Sequence, residues 1–329
     1  MTNIAYDIDP ALALDFDLEV EKITQRMRQI LSQDLHRRGF VIAMSGGIDS
    51  SVCAALAVKA LGVKKVFGLL MPEQDSSSIS GDLGKLLAKY LNIDYTIDDI
   101  APTLNAIGCY QWRDDAIRQV FPDYSQNWKN KIVIVGGVEG RINHYNIVIE
   151  NPQGERFEAM LPLKAYLTIV AATNHKQRIR KTLEYFHADR LNYAVIGTPN
   201  RLEYDQGFFV KNGDGSADIK PISHLYKSQV YAMARHLGLP EVICNSTPTT
   251  DTYSLEQGQD EFYFALPYQK MDIALWYLNH QKTESELANK LAISEQQAKF
   301  LYADILSKRR TTDYLHKKPV MIEDVQLSY

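Results

Sequence analysis

Cysteine is scarce in this sequence, and the few cysteines present lie far apart. Cys53, Cys109 and Cys244 form no CxxC pair, so the chain lacks both the paired ligands of a zinc knuckle and the framework of a disulfide-rich domain. Isolated thiols of this kind are typical of proteins in a reducing compartment. We therefore expect a cytoplasmic protein without structural disulfides.

Long apolar runs and an excess of basic residues are also absent. No apolar stretch is long enough to span a bilayer, and the acidic N-terminal residues lack the basic start and apolar core of a signal peptide. The formal net charge of −4 contrasts with the basic excess of most proteins that bind nucleic-acid phosphates. The sequence therefore predicts no membrane segment and no nucleic-acid partner.

No linker rich in Gly, Ser and Pro divides the 329 residues, and short apolar runs alternate with helical patterns. The runs that predict buried strands lie at 40–44, 64–72, 93–100 and 192–198. The helical patterns cover 18–35, 50–62, 81–92, 173–191 and 225–238. This alternation favours an α/β fold with a doubly wound parallel sheet. From about Tyr268 onward the pattern is helical, and we predict a single domain over 1–329.

The alternation breaks between about 101 and 173, which predicts an inserted lobe that contains β-strands. Residues 131–137 and 145–163 are strand-like, and the second run turns at the sequence NPQG. Residues 109–130 are aromatic and irregular in pattern. The aromatic residues either stack on a ring of the substrate or form the core of the lobe, and both interpretations stay open. The aromatic residues and one histidine of the lobe are Tyr110, Trp112, Phe121, Tyr124, Trp128, His144, Tyr145 and Phe157.

The sequence AMSGGIDSS stands between a predicted strand and a predicted helix. Gly46 and Gly47 allow backbone N–H groups to approach an anion, and the following helix adds its free N–H groups and positive dipole end. Ser45, Ser50 and Ser51 can donate hydroxyl hydrogen bonds to phosphate oxygens. The loop lacks the lysine of a Walker A loop and the spacing of GxGxxG. The alternatives are a phosphate-binding loop of another kind and an ordinary capped turn.

Two carboxylates and one lysine extend this phosphate-binding hypothesis. Asp49 would be repelled by a polyphosphate unless a cation, most commonly Mg²⁺, lay between them. Glu203 follows a predicted strand, at the edge where α/β proteins bind ligands, so it can complete a two-carboxylate metal site, although a solvated loop charge is the alternative. Lys227 begins a predicted helix, where a cation is disfavoured by the dipole unless an anion is nearby.

The motifs resemble those of a known family. SGGIDSS resembles the pyrophosphatase loop of enzymes that cleave ATP to AMP and pyrophosphate, which include NAD synthases, GMP synthetases, asparagine synthetases and several tRNA-modifying enzymes. The segment GTPNRLEYDQGFFVKNGDGSADIKPISHLYKSQV, from Gly197 to Val230, is similar to the NAD synthase pattern GTxxxxE…GxFxKxGDGxxDxxPxxxLxKxQ. NHKQRIR, PTTD and LHKKPV resemble further motifs of that family. The sequence therefore resembles the ammonia-dependent NAD synthases, with a divergent central insertion.

The resemblance implies an ATP-dependent ligase that adenylates the nicotinate carboxylate of deamido-NAD and transfers ammonia to it. It implies catalytic roles for Asp49, Glu203 and Lys227, with Mg²⁺ on the two carboxylates. The implied ATP contacts are Ala43, Met44, Ser45, Gly46, Gly47, Ile48, Asp49, Ser50, Ser51, Thr198, Lys227 and Thr249. The implied contacts to deamido-NAD are Arg178, Lys211, Asp218, His316 and Lys317.

The resemblance also implies a homodimer, for which the helix over 18–35 and the helix that contains Arg178 are candidate interfaces. No segment resembles a glutamine-hydrolysing domain, and Cys53 lies on a predicted buried helix, where a thiol makes a poor nucleophile. We therefore expect free ammonia, or ammonia from a separate partner, as the nitrogen donor.

The insertion at 101–173 and the sequence EQGQDEFYFALPY depart from the family pattern. Both departures lie where the acid would be bound, so the identity of the carboxylate stays open. Three alternatives remain at this point: the same chemistry on another carboxylic acid, a nucleotide-binding tRNA-modifying enzyme, and a nucleotide sensor without catalysis. The absence of a catalytic cysteine pair and the acidic balance count against the second, and the combination of Asp49, Glu203 and Lys227 counts against the third.

Overall fold

The computed structural model describes residues 8–135, 144–246, 253–255, 258, 263, 266–323 and 325. Elements are numbered in chain order. The strands are β1 Phe40–Ala43, β2 Val66–Leu70, β3 Asp94–Ile97, β4 Lys129–Val135, β5 His144–Glu150, β6 Arg156–Met160 and β7 Ala194–Ile196. The helices are α1 Phe16–Gln29, α2 Ile48–Leu61, α3 Ser78–Leu91, α4 Ala101–Ala106, α5 Cys109–Arg118, α6 Leu163–Leu191, α7 Arg201–Gln206, α8 Lys227–His236, α9 Glu241–Cys244, α10 Tyr268–Asn279, α11 Glu284–Leu291 and α12 Glu295–His316.

The central sheet is parallel, with the strand order β3-β2-β1-β7. Its strands are continuously apolar because both of their faces are covered. Phe40 and Ile42 of β1 pack with α1, α2 and α8 on one face, whereas Val41 packs with residues of α5 and α6 on the other. This arrangement confirms the predicted α/β fold with helices on both faces of a parallel sheet.

The strand order changes direction at β1, because β2 lies on one side of it and β7 on the other. In open α/β sheets, ligands bind in the crevice beyond the carboxyl ends of strands at such a switch point. The loop after β1 and the residues after β7 both reach that crevice. The fold therefore brings the glycine loop and the GTPNRLE motif to the same edge of the sheet.

The lobe contains a separate antiparallel sheet with the order β4-β5-β6. Its hairpin turns at residues 151–154, where Gly154 has φ +84°, and this confirms the hairpin predicted at NPQG. The rings of Trp128 and Phe157 stack with centroids 6.3 Å apart, and Phe121 and Tyr124 lie in the same apolar cluster. The packing favours the interpretation in which the aromatic residues form the core of the lobe.

Two expectations about this segment were wrong. Part of the stretch predicted as irregular, 109–130, forms α5, whose buried residues Tyr110, Arg113 and Ile117 recur at helical spacing. The helix that contains Arg178 begins at Leu163 rather than at 173, and Ala165, Ile169 and Ala172 lie on its buried side. In both places apolar residues are mixed with charged or small ones, so the helical period is weak in the sequence.

The helical pattern predicted after Tyr268 is confirmed by α10, α11 and α12, which share an apolar cluster with Leu12 near the N-terminus. Helix α12 packs closely on the end of α7: a Cβ added to Gly207 would lie 2.3 Å from the Cβ of Thr312. In the part of the chain that the structure describes, no helix is both long and apolar enough to cross a membrane.

Candidate active site

The glycine loop follows β1 and leads directly into α2. Gly46 has φ +78°, and a Cβ at this position would lie 2.6 Å from the carbonyl oxygen of Ser80. Both the backbone conformation and the close approach therefore require glycine. Gly47 is the N-cap of α2 and is exposed, so the first turn of a 14-residue helix opens onto the crevice with N–H groups that have no partner within the helix.

The three serines of the loop differ in where their hydroxyls point. Ser50 and Ser51 are buried and donate to the carbonyl oxygen of Gly47 at 3.0 and 2.9 Å. Ser45 is exposed, and its hydroxyl accepts from the Gly47 N–H at 3.3 Å. Ser51 thus stabilises the shape of the loop, while Ser45 presents a hydroxyl to the crevice.

The predicted ATP contacts Met44 and Ile48 are buried in the core beside the sheet, and Ala43 is half-buried at the end of β1. Their side chains support the loop, so a ligand in the crevice would meet their backbone groups. Thr198 lies two residues beyond β7 and is half-buried. Thr249 lies outside the described residues.

Asp49, Glu203 and Lys227 meet at the crevice through one further residue, Asn200. The carboxylate of Asp49 forms an ion pair with Nζ of Lys227 and accepts a hydrogen bond from Nδ2 of Asn200 at 3.0 Å. Asn200 also caps α7: its side chain accepts from the N–H of Glu203 at 3.1 Å, and its N–H donates to Oε2 of Glu203 at 3.2 Å. The fully buried Asn200 thereby fixes both predicted carboxylates.

The charges of this group stabilise one another. Burial alone would lower the pKa of Lys227, but the negative charges of Asp49 and Glu203 outweigh it and raise that pKa well above its usual range. Lys227 is therefore a fixed cation. Burial raises the pKa of Cys53, and the same two carboxylates raise it further. That thiol stays protonated, as expected for a cysteine that is not a nucleophile.

Asp272 of α10 holds the helix end from which Lys227 projects. Its carboxylate accepts from the N–H of Lys227 at 3.3 Å and from the N–H and hydroxyl of Ser228, both at 2.7 Å. Burial raises the pKa of Asp272 to about 6, although these hydrogen bonds oppose the rise. A carboxylate at the first turn of α8 offsets the unfavourable placement of a cation there.

Asp272→Ala should therefore weaken ATP binding through Lys227. We expect kcat/KM for ATP to fall about tenfold, the size of a lost charge–helix interaction in a buried setting. Leu275→Ala is the control, because Leu275 is fully buried on the same helix and its truncation lowers stability while the carboxylate of Asp272 keeps its hydrogen bonds to Lys227 and Ser228. Steady-state kinetics and thermal melting of both variants check the prediction, and equal KM values for ATP would contradict it.

The residues predicted to bind deamido-NAD form a second group, at the end of α12. Nε of Arg178 donates to the carbonyl oxygen of Lys211 at 3.2 Å. Nζ of Lys211 donates to the carbonyl oxygens of Tyr314 and Lys317 at 2.7 and 3.3 Å. The structure thus brings α6, the turn around Lys211 and the C-terminal end of α12 together. His316 lies here as well, edge-on to an aromatic ring of α7.

Asp218 and Lys317 make contacts of their own. Asp218 accepts from the N–H of Val195 at 2.7 Å and from the hydroxyl of Tyr185 at 3.3 Å, so its carboxylate is bonded to β7 and α6. Lys317 pairs with Asp313 at 2.7 Å on an exposed surface. These contacts do not test whether Asp218 and Lys317 bind the substrate, so that role stays a prediction.

A buried ion cluster lies beside the crevice, where the chain leaves β2. Nζ of Lys176 contacts Oε1 of Glu73 at 3.1 Å and Oδ2 of Asp75 at 2.5 Å. Arg113 of α5 also pairs with Asp75, and the hydroxyl of Tyr110 donates to Oε2 of Glu73 at 2.8 Å. The cluster ties the lobe helix α5 to α6 and to the loop after β2.

Sequence reasoning missed Asn200, Asp272 and this ion cluster. Asn200 had a usable signal, because Asn-x-x-Glu before a short helix is a capping-box pattern. Asp272 had none, since its partners on α8 are 44 and 45 positions away in the chain. The ion cluster was hidden because its members come from three separate segments.

Comparison with known proteins agrees with the geometry. A family model described as NAD synthase matches residues 19–132 and 141–318. The NH(3)-dependent NAD(+) synthetase of Rhizobium meliloti (strain 1021) is 53% identical over 318 residues, which cover 96% of this chain and 94% of that protein. The family match includes most of the segment predicted as an insertion.

Two solved structures share the fold. The NMN synthetase from Francisella tularensis has a TM-score of 0.64 at 22% identity and covers 94% of this chain and 99% of its own. The NH3-dependent NAD synthetase from Campylobacter jejuni subsp. jejuni NCTC 11168, in complex with the nitrate ion, has a TM-score of 0.61 at 24% identity and covers 94% and 100%. By the family match and the relative at 53% identity, this chain belongs to the NAD synthase family.

Proposed function

We infer that this chain is an ammonia-dependent NAD synthetase: a ligase that uses ATP to activate the nicotinate carboxylate of deamido-NAD and joins ammonia to it, giving NAD, AMP and pyrophosphate. The observation that carries the inference is the meeting of the glycine loop with Asp49, Glu203 and Lys227 in one crevice. Membership of the NAD synthase family supports the choice of acid.

The geometry fits a two-step reaction. A carboxylate resists attack by ammonia because its leaving group would be oxide. If a carboxylate oxygen attacks the α-phosphorus of ATP, the bond to pyrophosphate breaks and an acyl-adenylate forms. Ammonia then attacks the acyl carbon, AMP leaves, and a proton is lost. The helix end after Gly47 and the cation of Lys227 lie where they can stabilise the negative charge on the departing pyrophosphate.

Mg²⁺ fits the residues present. The described residues contain no group of three or more His, Cys, Asp or Glu side chains that could hold a metal, but Mg²⁺ in nucleotide sites usually takes only one or two carboxylates together with phosphates and water. Asp49 and Glu203 are both held at the crevice by Asn200 and would bind the ion. Bound there, Mg²⁺ would neutralise charge on the phosphates of ATP.

We propose a homodimer whose interface includes α1 and the first half of α6. Leu18 of α1 and Leu163 and Leu167 of α6 are 68%, 71% and 54% exposed, and a second copy of the chain would cover these apolar side chains. Light scattering at micromolar concentration should give twice the mass of one chain. A fully active monomer would contradict the proposal.

We also propose that the protein is cytoplasmic. Its nitrogen donor would be free ammonia, or ammonia supplied by a separate partner protein.

The decisive experiment supplies purified protein with ATP, Mg²⁺, ammonium and deamido-NAD and follows NAD by its reduction in a coupled assay. We expect NAD, AMP and pyrophosphate in equal amounts, and no product when glutamine replaces ammonium. Nicotinate mononucleotide, offered as the competing acid, tests whether another carboxylate is preferred. Amide formation on the mononucleotide alone would overturn the choice of deamido-NAD.

A further inference from the structure

Lys220 lies at the same sheet edge as the active-site crevice but belongs to none of the groups described so far. It follows Ile219, which forms a parallel bridge with Ile196 of β7. A Cβ added to Gly197 would lie 3.1 Å from Cγ and 3.5 Å from Cε of Lys220. The lysine stem therefore runs along the first residue after β7, next to Thr198.

The ammonium of Lys220 is held over two aromatic rings. Nζ lies 4.8 Å from the ring centroid of Tyr204 and 5.4 Å from that of Phe209, and these two rings stack on each other with centroids 5.9 Å apart. Among the described residues, none forms an ion pair with it. Burial lowers the pKa of Lys220, attraction by Asp214 opposes that change, and the charge of Lys181 adds to it.

His316 completes this group. Its ring lies edge-on to the rings of Tyr204 and Phe209, at 4.8 and 5.1 Å. Lys220 and His316 thus contact the same two rings. Burial lowers the pKa of His316, and the positive charge of Lys220 lowers it further. Lys220 thus stands between the residue after β7 and the end of α12, where the acid substrate is expected.

We propose that Lys220 binds an anionic group of the acid substrate, deamido-NAD. The inference rests on the proposed function and adds a residue to its substrate site. A partly buried ammonium whose described contacts are aromatic faces lacks the compensation that a carboxylate would give. An incoming phosphate or carboxylate supplies it. The rings of Tyr204 and Phe209 orient the ammonium without neutralising its charge.

Deamido-NAD carries two kinds of anion that Lys220 could contact, its pyrophosphate and its nicotinate carboxylate. NAD carries the same pyrophosphate but has an amide in place of the carboxylate. Comparing the two ligands therefore distinguishes the two contacts. Lys220→Met is the test variant, because it keeps the apolar stem against Gly197 and removes only the charge, and Lys220→Arg restores the charge.

Calorimetric titration of deamido-NAD and of NAD into the wild type and the variants measures the dissociation constant of each ligand. We expect Lys220→Met to weaken binding of deamido-NAD about ten- to hundredfold, with an unchanged KM for ATP and with partial recovery in Lys220→Arg. An equal loss for NAD assigns Lys220 to the pyrophosphate, and a loss for deamido-NAD alone assigns it to the carboxylate. Unchanged binding of both ligands overturns the proposal.

Lys308→Met is the control. Nζ of Lys308 also lies over an aromatic ring, 4.9 Å from the centroid of Tyr263, but it pairs with Asp304 at 2.7 Å and belongs to an earlier part of α12 than His316. Loss of deamido-NAD binding in both variants, in proportion to a lower melting temperature, would mean that Lys220 only supports the fold, and would also overturn the proposal. The proposed function and the role of Lys220 are refuted by different results. A wild-type protein that makes no NAD refutes the proposed function, whereas a wild type that makes NAD beside a Lys220→Met variant with normal binding refutes only the role of Lys220.

Discussion

Asp49→Asn should lower the rate of pyrophosphate release from ATP by about two to three orders of magnitude, the usual effect of losing one group that stabilises transition-state charge. The carboxylate forms the ion pair with Lys227 and accepts the hydrogen bond from Asn200. An amide keeps the size of the side chain but leaves a buried cation with less negative charge around it. It also removes one of the two carboxylates proposed to bind Mg²⁺.

The rate is measured by a coupled assay for pyrophosphate, with deamido-NAD and ammonium at saturation. Asp82→Asn is the control, because Asp82 is an exposed carboxylate on the neighbouring helix α3, and its ion pair among the described residues is with Lys85 at 3.4 Å. Lys227→Met and the double variant extend the test. Groups that act as a unit show non-additive losses, so the double variant should be little slower than the slower single variant. A wild-type rate in Asp49→Asn would refute its assignment to the site.

That the residues proposed to bind ATP lie together was predictable, because several of them are local in sequence. Gly46, Gly47 and Asp49 lie in one nine-residue loop, and a loop between a strand and a helix has few possible shapes. Glu203 follows a predicted strand, at the edge where α/β proteins bind ligands, and Lys227 lies near the start of a predicted helix, where a cation is disfavoured unless an anion is nearby. The sequence could not show that Asn200 joins Asp49 to Glu203, because that contact spans 151 positions in the chain.

The strands of the lobe were predictable and its helix α5 was not, for a physical reason. Strands β4 and β5 place apolar residues on the face toward one small core, as Ile132 does on β4 and Ile147 and Ile149 do on β5, which gives a period of two. Helix α5 instead buries Arg113 and Asp114 together with apolar residues. Because charged residues occupy buried positions of this helix, apolar residues do not recur at the helical period from which a helix is recognised in a sequence.

The buried charges of α5 also attach the lobe to the rest of the protein. Arg113 pairs with Asp75 and with Asp114, the latter at 2.8 Å, and Tyr110 packs in the apolar cluster on one face of the central sheet. Removing the lobe from Gly108 onward would therefore leave Lys176 to compensate Glu73 and Asp75 alone. A deletion that keeps α5 and removes only β4 to β6 is the better test of a role in binding the acid.

Lys176→Met should produce the largest loss of stability among single substitutions in this cluster, about 3–5 kcal/mol, since breaking a buried ion pair leaves an uncompensated charge. The side chain of Lys176 is 2% exposed, and those of its partners Glu73 and Asp75 are 0% and 6% exposed. Without it, Asp75 keeps its ion pair with Arg113, and Glu73 keeps the hydrogen bond from Tyr110 but loses its ion pair with Lys176. We expect a lower urea midpoint, measured by tryptophan fluorescence.

A surface pair provides the control for that measurement. Lys282 and Glu286 are 3.2 Å apart with nearly half of each side chain exposed, and pairs of this kind contribute well under about 1 kcal/mol. Lys282→Met should therefore leave the midpoint almost unchanged. The double variant Lys176→Met with Glu73→Gln should recover part of the loss, because it also removes one of the two buried negative charges that Lys176 neutralises. If Lys176→Met were as mild as Lys282→Met, the cluster would not hold α5 to the sheet, and the lobe would be attached through its apolar contacts alone.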